Sequence, residues 1–246
     1  MKNAFVVLAV TSLVAACGGG GGSGSSTAGP SVAQGLWVGS TTSNRTATAL
    51  VLSDGSYYVL YSSIGNPAVI AGVVQGSSTA AAGVLSSGDA KDFNLEGAGV
   101  LTATLSGTYT PKQAISGTVS YAAGAPTTFS GTYDPSYETP PSLAAIAGTY
   151  SGSVAFSLGT QSAVVSVSSS GGITGGANGC SINGSALPRA DANAYNVSLT
   201  FGPAPCFFAG QTFNGIGYFN ATTKRLYAAA PNAARTDGVL FVGTKP

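Results

Sequence analysis

The sequence predicts an all-β protein made of two tandem antiparallel lobes, each a β-barrel or β-sandwich of about eight strands. Three observations support this fold class. Apolar and polar residues alternate with a period of two over many short segments, turn residues separate these segments, and a proline-rich stretch divides the chain into halves that begin alike. No stretch of useful length shows the spacing of an amphipathic helix.

The first 16 residues have the form of a secretory signal. Lys2 gives a positive start, and residues 4–16 form a mostly apolar run, which is shorter than the roughly 20 residues of a transmembrane helix. The run ends in LVAAC at residues 13–17, which resembles the lipobox of bacterial lipoproteins. This resemblance implies cleavage before Cys17, lipid attachment to Cys17 and anchoring in a membrane. In that family, Gly rather than Asp at position 18 implies the outer membrane.

Residues 17–30 are predicted to be the lipidated cysteine and a flexible tether. The sequence GGGGGSGSSTAGP follows the cysteine. Such a linker behaves as random coil with a root-mean-square reach of about 5–6 Å times √n, or roughly 20 Å here. A phosphate-binding loop would need a flanking strand and helix and a Lys-Ser or Lys-Thr step, which this segment lacks.

The composition excludes several classes of function. The chain has 9 basic and 8 acidic residues, and charged residues make up 7% of it. It therefore has no basic patch for a nucleic acid. It also contains no histidine, which excludes Ser-His-Asp and Cys-His catalysis and most zinc sites.

Alternation predicts the individual strands, which bury one face as in antiparallel sheets. The clearest alternating segments are residues 101–109, 115–121, 150–158 and 195–201. Hairpin turns are predicted at residues 53–56 and 220–223. Asp54 precedes a glycine in the first of these turns and is assigned to turn formation rather than catalysis.

A Ser-Gly-Thr motif recurs at residues 106–108, 116–118 and 130–132. The alternation points Gly107, Gly117 and Gly131 inward. An inward glycine marks a bend or a close approach of two backbones, and sharply coiled strands are needed to close a small barrel. The motif therefore favours closed or nearly closed sheets.

The stretch DPSYETPPS at residues 134–142 contains three prolines and cannot continue a sheet ladder. It predicts an N-terminal lobe at 31–137, a linker at 138–142 and a C-terminal lobe at 143–246. Each lobe begins with a short turn that leads into a strand, GLWVG in the first lobe and GTYSG in the second.

The short turn before Gly-x-Trp resembles the start of lipocalins and other small calycin-type barrels. The resemblance implies that Trp37, and Tyr150 at the equivalent place in the second lobe, close one end of their barrels. Tandem β lobes on a lipid anchor also resemble surface lipoproteins of Gram-negative bacteria that bind host proteins.

Cys180 and Cys206 are predicted to form a disulfide, because disulfides persist outside the cytoplasm. In the chain-entropy model, closing this loop stabilises the fold by about 3.5 kcal/mol.

Carboxylates provide the remaining route to catalysis. Most of the candidates adjoin Gly, Pro, Ser or Asn, as expected in solvated loops: Asp89, Asp92, Glu96, Asp134, Glu138, Asp191 and Asp237. The first three lie close in sequence and could attract a hard cation, but EF-hand spacing is absent. We therefore expect no enzyme, no metal and no cofactor.

The sequence predicts a non-catalytic binding or interaction module at the outer membrane. A barrel could hold a small apolar ligand, or its loops could contact a protein partner, and Phe207 or Phe208 would point outward if the pair lay on a strand. Two alternatives stay open, a structural envelope lipoprotein without a ligand and a barrel-type enzyme inhibitor. A membrane-spanning barrel is disfavoured because the outward residues are Ser and Thr.

Overall fold

The computed structural model describes residues 32–246, so the predicted signal, Cys17 and the whole predicted tether lie outside the described residues. Two closed antiparallel barrels of eight strands follow each other along the chain, which confirms the predicted all-β class and the tandem arrangement. Within residues 32–246, the helices are all too short to cross a membrane.

The N-terminal barrel contains eight strands and one accessory strand. In chain order these are β1 Gly35–Thr41, β2 Thr46–Val51, β3 Ser56–Ser63, β4 Asn66–Ser77, β5 Thr79–Ala81, β6 Val84–Asn94, β7 Gly99–Thr110, β8 Ala114–Tyr121 and β9 Thr127–Asp134. Neighbours pair in the order β4-β3-β2-β1-β9-β8-β7-β6, and the pairing of β4 with β6 closes the ring. Strand β5 follows β4 along the chain and pairs with the first residues of β6, on the same edge of β6 that pairs with β4.

The C-terminal barrel follows a 3-10 turn at Pro135–Glu138 and a single helical turn, α1, at Leu143–Ile146. Its strands are β10 Gly148–Phe156, β11 Gly159–Val167, β12 Gly172–Ala177, β13 Cys180–Pro188, β14 Tyr195–Phe201, β15 Thr212–Asn220, β16 Arg225–Pro231 and β17 Gly238–Thr244. They pair in sequence order, and β10 pairs with β17 to close the barrel.

Inward glycines lie where neighbouring backbones approach most closely, as the sequence predicts. Gly107 and Gly117 are directly opposite each other on β7 and β8. A Cβ atom on Gly107 would overlap the carbonyl oxygen of Ser116, and one on Gly39 in β1 would overlap that of Ser130 in β9. These glycines let the strands coil tightly enough to form a ring.

The two barrels pack against each other through outward-facing apolar side chains. Val73 and Phe93 of the first barrel form one cluster with Ala229 and Leu240 of the second. A second cluster contains Tyr137 from the 3-10 turn, which is only 5% exposed. Residues of the segment between the barrels are therefore part of a packed interface as well as a connection.

Polar contacts also join the two lobes. The Arg235 guanidinium lies 3.0 Å from a carboxylate oxygen of Asp89, and it donates hydrogen bonds of 2.7 Å to the carbonyl oxygens of Asp89 and Gln75. Ser53 contacts Asp191, whose pKa is lowered to about 2, chiefly by the hydrogen bond from Arg189.

Candidate functional site

The interiors of the two barrels differ in how much space they leave. The N-terminal barrel encloses a cavity of about 320 Å³, whereas the interior of the C-terminal barrel leaves about 50 Å³. A typical small-molecule pocket has a volume of about 300–1,000 Å³. The N-terminal barrel is therefore the candidate binding site.

The C-terminal barrel is filled by phenylalanine rings. Phe208 is 6% exposed, and its ring centroid lies 4.7 Å from that of Phe213 and 5.4 Å from that of Phe201. Its neighbour Phe207 is 58% exposed and stacks on Phe156 at 6.3 Å. The expectation that one ring of this pair points outward was conditional on a strand, whereas the pair lies in a turn. The exposure of Phe207 therefore results from the turn and not from strand alternation.

The predicted disulfide between Cys180 and Cys206 is present, with Cα atoms 4.5 Å apart. Cys180 begins β13, and Cys206 lies in the loop between β14 and β15. The bond therefore ties to the barrel wall the same loop that carries Phe208 into the barrel end.

Trp37 and Tyr150 occupy equivalent places near the starts of the two barrels. Both are almost completely buried, at 2% and 0% exposure. The Trp37 indole nitrogen donates to the carbonyl of Ala33 at 3.0 Å, and the Tyr150 hydroxyl donates to that of Ile146 at 2.7 Å. Each aromatic ring thus anchors the short turn four residues before it.

The cavity of the N-terminal barrel exists because several inward positions carry small side chains. Gly39, Ala47 and Ala49 on β1 and β2 face the interior, where larger side chains would fill it. The remaining wall is mostly apolar and aromatic, with Trp37, Val51, Tyr57, Val59, Val74, Leu85, Leu105, Ile115, Val119 and Phe129.

The two ends of this cavity have different chemistry. Strands β1, β3, β6 and β8 run in the same direction, so their first residues meet at one end of the barrel and their last residues at the other. We call the first the proximal end, where Trp37 lies, and the second the distal end. Thr41, Ser43 and Thr127 line the cavity at the distal end and are partly exposed, so this end of the cavity adjoins solvent.

A buried polar cluster lines the distal end of the cavity. Asp92 is 3% exposed, and its two carboxylate oxygens accept hydrogen bonds from the hydroxyls of Tyr61 at 2.7 Å and Tyr121 at 2.8 Å. The side-chain amide of Asn94 donates to the Tyr61 hydroxyl at 3.1 Å. Two tyrosines thus orient a carboxyl group that sits in the wall of an otherwise apolar cavity.

The nearest cation is already paired with another acid. Arg45 contacts Glu96 at 2.7 Å, donates to the carbonyl of Ser62 at 2.8 Å, and lies 5.4 Å from the centre of the Tyr61 ring. Burial raises the pKa of the Asp92 carboxyl, against the opposing hydrogen bonds of its two tyrosines. Burial and then the charge of Asp92 raise the pKa of Tyr61 and of Tyr121. Both tyrosines are therefore protonated donors at neutral pH.

The carboxylates singled out in the sequence do not assemble into a cation site. Asp89 faces Arg235, Glu96 faces Arg45, and Asp92 lies inside the barrel. Within residues 32–246, no three metal-ligating side chains come together. The remaining candidates cap turns or pair with neighbouring side chains outside the barrel interiors: Asp134, Glu138, Asp191 and Asp237.

The sequence did not predict the convergence of Tyr61, Tyr121 and Asp92, because Asp92 was grouped with carboxylates expected in solvated loops. A register shift in β6 between Ser87 and Ala90 is a further reason, because it changes which residues point inward. The position of Asp92 could have indicated the site. Asp92 lies two residues after Ala90, so in a strand both side chains point to the same, inward face.

Asp92→Asn is expected to be more stable than the natural chain at pH 7. The raised pKa means that the native state binds the Asp92 proton more tightly than the unfolded state does. The stability that this group contributes is complete below the ordinary aspartate pKa of about 3.9 and is lost as the pH rises through the raised native value.

Urea unfolding of both proteins from pH 4 to pH 8 measures this effect. The stability advantage of Asp92→Asn should grow with pH. Other titrating groups, such as Glu96 and Asp191, are common to both proteins and cancel in the difference. A difference that stays constant with pH, or that shrinks as the pH rises, would contradict the assignment.

Comparisons with known proteins do not identify the chain. No protein-family profile and no curated protein matches it. Similar solved structures include a single and a double mutant of transferrin binding protein B from Haemophilus parasuis, with identities of 10% and 8% and TM-scores of 0.28 and 0.30. Another is transferrin binding protein B from Neisseria meningitidis, with 8% identity and a TM-score of 0.29.

These alignments cover 81%, 81% and 82% of this chain but only 65% of each of the other chains. Identities and TM-scores as low as these carry no function from those proteins to this chain.

Proposed function

We propose that this chain is a non-catalytic binding module, anchored by lipid on Cys17 in the outer membrane, whose N-terminal barrel holds one small and largely apolar ligand. The observation that carries the proposal is the cavity of about 320 Å³ in that barrel. Ligand pockets are mostly apolar, with a few placed polar groups that orient the ligand. The distal cluster around Asp92 supplies such groups.

The two barrels have different roles in this proposal. Trp37 and Tyr150 each close one end of a barrel, in keeping with their burial and their hydrogen bonds to the preceding turn. The C-terminal barrel, filled by phenylalanine rings, acts as a rigid support packed against the outer wall of the binding barrel.

The proposed anchor gives the binding site a direction. The first described residues, Val32 and Ala33, lie beside the proximal end, since Ala33 accepts the hydrogen bond of Trp37. A tether from Cys17 would therefore join the barrel at the end opposite the partly exposed distal residues. The entrance would face away from the membrane surface.

Native mass spectrometry of residues 31–246, secreted into an oxidising compartment, tests the binding function. We expect a co-purified small molecule. Ala49→Phe places a ring in the cavity and should release it, whereas Thr104→Phe on the exposed face of β7 should retain it. Overpacking costs about 1–3 kcal/mol, so thermal unfolding must show that both variants remain folded.

The proposal is wrong if a bound molecule persists in folded Ala49→Phe, or if the natural protein takes up no apolar molecule from an envelope extract. The second result, together with repeated blanks in pull-downs, would favour a structural lipoprotein. A captured protein that binds Ala49→Phe equally well would instead favour an interaction through the outer surface.

A further inference from the structure

We infer that the ligand of the N-terminal barrel is a monocation, an apolar body that carries one protonated amine, with the amine placed at the distal end against Asp92. This inference rests on the proposed function and adds the chemical class of the ligand.

The first support is the charge balance at the distal end of the cavity. Asp92 and Glu96 are acids, and Arg45 is the one base that contacts either of them among the described ion pairs. The Arg45 guanidinium donates a hydrogen bond of 2.7 Å to the Glu96 carboxylate, and its charge is therefore balanced by Glu96. Lys91, next to Asp92 in sequence, lies on the outer face of β6 and donates to Thr102 at 2.7 Å. When Asp92 is ionised, the distal end therefore carries one net negative charge.

The second support is the hydrogen-bonding capacity of the cluster. The hydroxyl hydrogens of Tyr61 and Tyr121 are both directed at Asp92. Each carboxylate oxygen can accept a further bond. The Tyr121 oxygen can also accept one, whereas the Tyr61 oxygen already accepts from Asn94. A protonated amine has three donors and no acceptor, so it matches this arrangement. A carboxylate or phosphate ligand would instead place a like charge beside Asp92.

The third support is the aromatic wall. The rings of Tyr61, Tyr121 and Phe129 line the cavity, with Tyr57 and Trp37 deeper inside. A cation within about 6 Å of an aromatic face is attracted to it, most strongly when the cation is desolvated. The apolar body of the ligand would lie towards Trp37 and the charged group towards Asp92.

Asp92 is buried and makes no ion pair within residues 32–246, as expected of a residue that binds a charged ligand. A buried acid without an ion-pair partner is unfavourable, and burial raises its pKa. Tyr61 on β3, Tyr121 on β8, Asn94 on β6 and the Arg45–Glu96 pair are the polar and charged groups around it. A bound cation would supply the missing counter-charge.

Three probes with one naphthyl body test the inference: 2-(1-naphthyl)ethylamine, 2-(1-naphthyl)ethanol and 1-naphthylacetate. Binding to the full chain in lipid nanodiscs is measured by calorimetry at pH 7.5, with empty nanodiscs subtracted. A hydrogen bond to a charged group is worth about 1.5–3 kcal/mol. At 1.4 kcal/mol per tenfold, the amine should bind about tenfold or more tightly than the alcohol, and the acetate most weakly.

Asp92→Asn should abolish this preference by weakening amine binding while alcohol binding stays nearly constant. Asp54→Asn removes the same charge in an exposed turn and should leave the preference intact. Lowering the pH towards 4 should weaken amine binding to the natural chain and not to Asp92→Asn.

Equal or tighter binding of the alcohol or the acetate overturns the monocation inference but leaves the proposed binding function in place. An amine preference that survives in Asp92→Asn also overturns it. If none of the three probes binds, the proposed function itself fails, and this inference fails with it.

Discussion

Removal of the disulfide by Cys180→Ala together with Cys206→Ala should lower the free energy of unfolding by about 3.5 kcal/mol, from the loop-closure entropy of the unfolded chain. The effect should be concentrated in the C-terminal barrel, because the bond fixes the loop that carries Phe208. Without it, the Phe208 ring can leave the barrel end and expose the apolar interior.

Urea unfolding gives the loss of stability, and binding of a hydrophobic dye reports the exposed interior. Phe207→Ala is the matched control, since this ring is 58% exposed in the same loop and its removal should change stability little. Thiol labelling of the denatured natural chain tests whether the disulfide is present before any substitution is made. Labelling of both Cys180 and Cys206 would show that the bond is absent.

Gly39→Ala should destabilise the N-terminal barrel by about 3 kcal/mol, at the upper end of the cost of overpacking a well-packed site. A Cβ atom there would overlap the carbonyl oxygen of Ser130 on the neighbouring strand. Backbone atoms cannot move aside as a flexible side chain can, so β1 and β9 must separate. Separation of β1 from β9 would also open a gap in the wall of the cavity and weaken ligand binding.

Gly88→Ala is the matched control on β6, because no atom lies within 4 Å of its added Cβ. Urea unfolding should place this variant within about 0.5 kcal/mol of the natural chain, as for other surface changes. If Gly39→Ala and Gly88→Ala were equally stable, the close approach of β1 and β9 would not be what shapes this barrel.

Much of the fold could be predicted from the sequence, because local patterns determine it. Alternation set the inward face of strands such as β14, where Tyr195, Val197, Leu199 and Phe201 are all buried. The inward direction of Gly107 followed from the same period of two. The pairing of Cys180 with Cys206 could be predicted because disulfides persist outside the cytoplasm.

Other features depend on the combined volume of many side chains, or on contacts between residues far apart in the chain, and no local pattern contains either. Whether a barrel is hollow depends on the combined volume of inward side chains from eight strands, such as small Ala47 and Ala49 in one barrel and Phe213 in the other. The interface between the lobes uses outward apolar residues, such as Phe93 and Tyr58, whose partners lie far along the chain. The polar cluster around Asp92 depends on the register shift in β6.

A crystal structure determined under xenon pressure would show whether the N-terminal barrel is hollow and the C-terminal barrel is packed. Xenon enters apolar cavities that are large enough to hold it. We predict xenon density in the N-terminal barrel, between Trp37 and the distal tyrosines, and none inside the C-terminal barrel, where Phe208 and Phe213 lie. Density in both barrels, or a first barrel collapsed around Phe129 with no space for xenon, would show that the two interiors do not differ in this way.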